Sequence, residues 1–104
     1  TYSLANGTRL LSSCSQIEKS MESGSNEENY DKGYCLGIAQ GVRHTLQYVQ
    51  ATHSTNDVCF PKEGLTNGEA VLILNSYLRD NPGYLHLTAV GLAIGAFSEK
   101  FPCN

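Results

Sequence analysis

Residues 33–49, GYCLGIAQGVRHTLQYV, decide the fold class of this chain. The apolar positions of this stretch recur every three or four residues, which is the spacing of one face of an α-helix and not that of a strand. They are Tyr34, Cys35, Ile38, Val42, Leu46 and Val49. We therefore expect a long amphipathic helix with Cys35 on its buried side.

A shorter helix is predicted before this one. Its apolar stripe consists of Leu10, Cys14, Ile17 and Met21. It ends in the polar loop 23–26, where Ser and Gly residues interrupt the stripe. Asn26 is the expected N-cap of the following helix, with Glu27 and Glu28 in the first turn, where the helix dipole favours negative charge.

Two more helices are predicted in the second half of the chain. Residues 66–69, TNGE, form a capping box that begins a third helix. Its inward residues are Val71, Leu74, Tyr77 and Leu78. Pro82 ends it, because proline disfavours helical geometry at the residue before it. The fourth helix is expected from about Tyr84 to Lys100, and its buried residues are Leu85, Leu92, Ala96 and Phe97. The sequence thus predicts an all-α fold, a compact bundle of about four helices.

The four cysteines, Cys14, Cys35, Cys59 and Cys103, predict two disulfides. An even count without a Cys-x-x-Cys pair argues against a metal site or a redox motif. In an antiparallel hairpin of the first two helices, Cys14 and Cys35 face one another. A second hairpin about Pro82 returns Cys103 to the neighbourhood of Cys59. Of the three possible connectivities we therefore expect Cys14–Cys35 and Cys59–Cys103, formed outside the cytosol.

Length and charge limit the other possibilities. The chain has 104 residues, and we expect a single domain over residues 1–104. A net charge of −3 with seven Lys and Arg residues provides no basic stripe for nucleic acid. No apolar run approaches the ~18 residues of a membrane span. Residues 1–6 lack the features of a signal peptide, so we expect a mature chain from which the signal has been removed.

Two glycine series require an explanation, because each glycine inside a helix destabilises it by about 0.5–1 kcal/mol relative to alanine. Gly33, Gly37 and Gly41 recur in the second helix, and Gly91 and Gly95 in the fourth. Close packing within the chain is the favoured interpretation. A glycine-lined dimer seam is the alternative.

Few residues suggest catalysis. His44, His53 and His86 are the candidate general bases, and none lies in a nucleophile or zinc signature. A catalytic cysteine would leave another cysteine unpaired. We therefore expect neither an enzyme nor a cofactor or metal site. A secreted enzyme or toxin that uses His44 or His86 remains an alternative, as does a disulfide-stabilised helical module that binds a small apolar ligand.

The candidate partner-binding surface is the turn after the third helix. It combines charge, a stiff proline turn and an aromatic anchor, as interface hot spots do. Its residues are Arg79, Asp80, Asn81 and Tyr84. From the hairpin topology we expect it at the same end of the bundle as Glu27 and Glu28. Residues 53–57 are the competing surface, and a plain helix–helix turn is the alternative interpretation.

One further feature is an ordered set of residues between Gly33 and Cys103. The set comprises Gly33-Tyr34-Cys35-Leu36-Gly37, Gly41, Cys59-Phe60-Pro61, Leu65-Thr66, Tyr77-Leu78, Pro82, His86, Ala89 and Phe101-Pro102-Cys103. It resembles a known family, the Rap/Tai family of type VI secretion immunity proteins. The resemblance implies a helical periplasmic protein of a Gram-negative bacterium that acts as a homodimer. It also implies the partner, a cognate peptidoglycan amidase with a papain-like Cys and His site. Binding would block the active-site groove and protect the cell from its own and its siblings' toxin.

Overall fold

The computed structural model describes residues 6–53 and 58–103, and four α-helices make up most of these residues. They are α1 (Gly7–Ser23), α2 (Tyr30–Thr52), α3 (Asn67–Asp80) and α4 (Ala89–Lys100). A short 3-10 helix, Pro82–Tyr84, follows α3. Extended pairing in the described residues consists of two isolated bridges, Asn6 with Thr88 and Val58 with Pro102. The predicted all-α bundle is confirmed.

Asparagine side chains cap the starts of the first two helices. The Asn6 side chain accepts from the Arg9 amide at the start of α1, and Gly24, with φ 74°, ends this helix in the left-handed conformation. The predicted N-cap Asn26 of α2 is wrong. Asn29 caps α2 by accepting from the Lys32 amide at 2.9 Å, so Glu27 and Glu28 precede the helix instead of occupying its first turn.

The start of α3 is as predicted, and the start of α4 is not. Thr66 and Glu69 form the complete capping box of α3. The predicted fourth helix began near Tyr84, but α4 begins after its N-cap Thr88, whose side chain accepts from the Gly91 amide. Residues 85–87 pair with the start of α1 instead of continuing a helix, because the amides of Gly7 and Thr8 donate to the carbonyls of Leu87 and Leu85 at 3.0 and 3.2 Å. These carbonyls satisfy the amides at the open end of α1.

Both predicted disulfides are present. Cys14–Cys35 joins α1 to α2 across the buried core, with 5.1 Å between the Cα atoms. Cys59–Cys103 joins the α2–α3 connection to the C-terminal segment, with a Cα separation of 5.2 Å. Beside it, the Phe60 ring packs against Phe97 and Phe101 with centroid distances of 5.6 and 5.5 Å. The second disulfide is thus anchored to the hydrophobic core and not merely to a surface loop.

The helix order in space corrects one topological prediction. Arg79, near the end of α3, contacts Ser15 and Glu18, whereas Gly68, near its start, lies beside Met21. The third helix therefore runs antiparallel to α1, and the turn that follows α3 lies beside the start of α1. Because 17 residues of helix span about 25 Å, the loop with Glu27 and Glu28 is at the opposite end. The expectation that both lie at one end of the bundle is wrong.

Candidate partner-binding surfaces

The turn after α3 brings the four predicted partner-binding residues together and gives them two different environments. The Arg79 guanidinium forms an ion pair with Glu18 at 3.1 Å. The Asn81 side chain donates to the Tyr77 carbonyl at 2.8 Å and so covers the end of the helix. Asp80 is exposed, and Tyr84 is 48% exposed. Arg79 and Asn81 hold the turn in place, while Asp80 and Tyr84 are available to a partner.

The competing surface at residues 53–57 is described only in part. His53 is the C-cap of α2 and is exposed, and its Nδ1 lies 2.9 Å from the Thr52 hydroxyl. Residues 54–57 lie outside the described part of the chain.

The histidines lie on separate elements. His44 is an exposed residue of α2, and His86 is exposed on the segment before α4. Within residues 6–53 and 58–103, no group of three or more His, Cys, Asp or Glu side chains is arranged to hold a metal ion. The described histidines are thus individual surface residues and not parts of a common site.

Arg43 has a structural role that the sequence did not predict. It lies on α2 and is buried, and its guanidinium donates to the Leu65 carbonyl and, at 2.8 Å, to the Asn67 side chain. Its other contact is the His44 Nε2 at 3.2 Å. Arg43 therefore ties α2 to the connection that enters α3. An exposed arginine would fit the helical pattern equally well, so the sequence contains no signal for this role.

The two glycine series have different explanations. On α4, a Cβ at Gly95 would lie 2.8 Å from the Tyr77 hydroxyl, and one at Gly91 would lie 2.9 Å from the Thr88 hydroxyl. Close packing between helices is thus confirmed at Gly95, where Tyr77 of α3 approaches α4, whereas Gly91 lies against the N-cap of its own helix. On α2, a Cβ at Gly33, Gly37 or Gly41 would meet nothing within 4 Å. The same interpretation is wrong for α2, whose glycines face open space.

An open apolar groove of about 330 Å³ lies over two of these glycines, and we call it the glycine face. It is lined by Gly37, Ile38, Gly41, Val42, Thr45, Leu46, Val90 and Ile94. Val90 and Ile94 belong to α4 and are 48% and 40% exposed. Their side chains form a ridge beside the hollow over the glycines. No lining residue is ionisable.

A second groove, between α3 and α4, is bounded by charged residues. Its larger part, about 610 Å³, is lined by Pro61, Glu63, Gly64, Leu65, Thr66, Glu69, Leu72, Ile73, Lys100 and Phe101. The adjoining part, about 360 Å³, is lined by Leu72, Ile73, Ser76, Tyr77, Asp80, Ala96, Glu99 and Lys100. The parts share Leu72, Ile73 and Lys100, so they form one continuous surface, the α3–α4 groove. It ends at Asp80, where the predicted partner-binding turn begins.

An arginine–tyrosine cluster joins the first turns of α1 and α2. The Arg9 guanidinium lies over the rings of Tyr34 and Tyr30, at 4.5 and 5.5 Å from their centroids, and pairs with Asp31 at 3.2 Å. Burial raises the pKa of Tyr34, and the positive charge of Arg9 opposes this effect. The cluster links α1 to α2, which is a structural role.

Comparisons with known proteins give the family. Among the described residues, no helix has the length and apolarity needed to cross a bilayer. Searches of curated proteins and of solved structures found no match. The sequence model described as Rap1a immunity proteins matches residues 6–103, which include all four helices and both disulfides. The chain belongs to the family of Rap1a immunity proteins.

Proposed function

We propose that this immunity protein binds a type VI secretion peptidoglycan amidase in the periplasm and blocks its active-site groove. The family match over residues 6–103 carries the proposal, because an immunity protein acts against a secreted effector. The two disulfides support a location of the protein outside the cytosol, where thiols are not kept reduced. The amidase class and the periplasmic location come from the resemblance in residues 33–103.

The inhibiting element we propose is the turn that presents Asp80 and Tyr84. An inhibitor of this kind needs no chemistry of its own, only a surface that prevents substrate from entering. The turn is held by successive backbone hydrogen bonds, from the Tyr84 amide to the Asn81 carbonyl at 3.0 Å and from the Leu87 amide to the Tyr84 carbonyl at 2.9 Å. Because it is ordered before it binds, little conformational entropy is lost on association.

We also propose that the protein forms a homodimer through the glycine face. A two-fold pair requires a surface that fits itself. In such a pair, the Val90 and Ile94 ridge of one protomer would enter the hollow over Gly37 and Gly41 of the other. The absence of charge along this groove favours the contact, since each chain carries a net charge of −3.

The first experiment tests effector binding and protection. The chain, exported to the periplasm, is expressed with the amidase effector encoded beside its gene, and complex formation and survival are measured. We expect a stable complex and restored growth. Asp80→Ala/Tyr84→Ala should weaken binding by about tenfold or more, as expected for hot-spot residues. The matched control, Glu28→Ala/Tyr48→Ala, removes one carboxylate and one exposed tyrosine elsewhere and should bind normally.

Each outcome has a defined meaning. Absence of both binding and protection would refute the amidase proposal. If the Asp80→Ala/Tyr84→Ala variant bound the effector with unchanged affinity, the proposed effector would stand, but the turn would be rejected as the inhibiting element. Sedimentation velocity tests the dimer: the wild type should sediment as a dimer and Gly41→Leu, which fills the hollow, as a monomer. A small apolar molecule found on the glycine face by native mass spectrometry would instead favour the ligand-binding alternative.

A further inference from the structure

One face of α3 remains open to solvent along its whole length. Glu69, Leu72, Ile73, Ser76 and Asp80 recur at three- and four-residue spacing, so they lie on one side of the helix. This side lines the α3–α4 groove for about 16 Å. Leu72, in the middle, is 46% exposed. Among the large aliphatic side chains that line the groove, Leu72 is the exposed one.

Charge along this groove has one predominant sign. Four carboxylates line it, from Glu63, Glu69, Asp80 and Glu99, against a single ammonium group, Lys100. Within residues 6–53 and 58–103, the described ion pairs are Arg9–Asp31 and Arg79–Glu18, and neither involves a groove residue. Glu69 accepts a hydrogen bond from the Thr66 amide at 2.8 Å as part of the capping box. The carboxylates of Glu63, Asp80 and Glu99 therefore remain the ones available to cations from outside the chain.

The electrostatics of Tyr77 agree with this distribution. Tyr77 lines the groove and packs its hydroxyl over Gly95. Burial raises the pKa of Tyr77, and the negative charge of Glu99 raises it further. The Glu99 carboxylate thus contributes negative potential to this part of the groove.

The wall of the groove at residues 61–66 is fixed by several independent contacts. Arg43 donates to the Leu65 carbonyl, and the Gln50 side chain accepts from the Phe60 amide at 2.9 Å. Cys59–Cys103 closes the same segment covalently, and the capping box holds its end at Thr66. A partner therefore meets a preformed surface and needs to order little of it.

We propose that the α3–α4 groove binds a basic segment of the effector, with Lys or Arg side chains against its carboxylates and an apolar side chain against Leu72. This inference rests on the proposed function and names the chemistry of the partner surface. A second copy of this chain is a poor occupant, because it would bring the same carboxylates together. An apolar ligand is a poor occupant too, because its binding would desolvate the charged rim.

Association kinetics with the effector encoded beside the gene test this proposal. Charge steering acts mainly on the association rate and is screened by salt. Glu63→Lys/Glu99→Lys should lower the association rate about tenfold or more at low ionic strength, and the difference should shrink at high salt. The control Glu27→Lys/Glu28→Lys makes the same change in net charge outside the groove, in the loop before α2, and should alter the rate about twofold or less. Leu72→Ala should instead raise the dissociation rate, by about fivefold or more.

The outcomes separate this inference from the function on which it rests. All the altered side chains are exposed, so each variant should fold, and circular dichroism checks this. A wild-type complex that is insensitive to Glu63/Glu99 and Leu72 substitutions would overturn the groove assignment and leave the immunity function intact. A control that slows association as much as the groove variant would attribute the effect to net charge and also overturn the assignment. If the wild-type protein formed no complex with the effector, this would refute the proposed function and the groove assignment with it.

Discussion

Replacing Gly41 with alanine should stabilise the monomer, although the residue belongs to a regular series. A Cβ at this position meets nothing within 4 Å, so the substitution introduces no clash. Alanine favours a helix interior over glycine by about 0.5–1 kcal/mol. For a domain of about 100 residues, this gain corresponds to a rise in Tm of about 2–8 °C. Gly37 has the same open surroundings, and Gly37→Ala should give a similar gain.

Gly7→Ala is the matched control, since it makes the same chemical change in another helix. A Cβ at Gly7 would lie 2.4 Å from the Leu92 Cδ1 and 3.0 Å from the Leu85 Cα and carbonyl oxygen. Backbone atoms cannot move aside as a flexible side chain can, so overpacking should destabilise this variant by about 1–3 kcal/mol. The two substitutions are therefore expected to have opposite signs.

Urea unfolding of the disulfide-intact protein, followed by circular dichroism at low and high protein concentration, measures both effects. At low concentration, Gly41→Ala should raise the midpoint without changing the slope. A dimer adds stability that grows with concentration. If the glycine face is the dimer seam, the alanine variants should lose part of this dependence. A lower midpoint of Gly41→Ala at low concentration would refute the reasoning, because it would show that the fold itself requires the glycine.

Three further predictions concern stability. Replacing Cys59 and Cys103 with serine should destabilise the protein by about 4 kcal/mol, and replacing Cys14 and Cys35 by about 3 kcal/mol. The reason is that the first disulfide closes the longer loop, with a sequence separation of 44 residues against 21. Equal or inverted losses of unfolding free energy in urea would contradict this entropic account. The backbone and side-chain hydrogen bonds of Thr66 lower the pKa of Glu69, so the unfolded state takes up the proton first as the pH falls. The stabilisation that the Glu69 carboxylate gives should be complete above the ordinary carboxyl pKa and lost as pH falls through the lowered value. Tm measured against pH should show this loss in the wild type but not in Glu69→Gln. Leu74 is 1% exposed in the core, so Leu74→Ala should lower the free energy of unfolding by about 2–5 kcal/mol. A loss near zero in urea unfolding would mean that the core packs differently.

Local patterns predicted most of the fold because they coincide with the interactions that form it. The capping box at Thr66 and Glu69 is a reciprocal pair of hydrogen bonds between residues three apart, so the sequence contains all of it. The pairing Cys14–Cys35 follows from a hairpin whose two arms have similar lengths. Such features need no knowledge of distant segments.

The errors occur where distant segments or equivalent residues decide the outcome. Asn26 and Asn29 are both suitable caps, and the choice depends on where α2 meets α1, through the Asn29 contact with Gln16 at 3.1 Å. The delayed start of α4 depends on Gly7 and Thr8, which lie about 80 residues earlier and bind the carbonyls of Leu87 and Leu85. Tertiary contacts of this kind override helical periodicity, and one sequence does not reveal them.

The candidate surfaces were predictable to a different degree. The turn with Asp80 and Tyr84 could be found because Asn, Pro and Gly residues mark turns. The α3–α4 groove could not, because its acidic rim combines residues from α3, α4 and the 61–66 segment. Arg43, which holds that segment, has no motif at all. Surfaces assembled from several elements become visible only when the elements are placed in space.

The two proposed interfaces use different sides of α4, and this arrangement makes dimerisation and inhibition separable. Val90 and Ile94, four residues apart, belong to the glycine face, whereas Glu99 and Lys100 belong to the α3–α4 groove. Between these sides, Ala93 and Phe97 are buried in the core. A homodimer formed through the glycine face would therefore leave the α3–α4 groove free on each protomer. We accordingly expect two effectors per dimer, and we expect Gly41→Leu to bind one effector per monomer with an unchanged association rate.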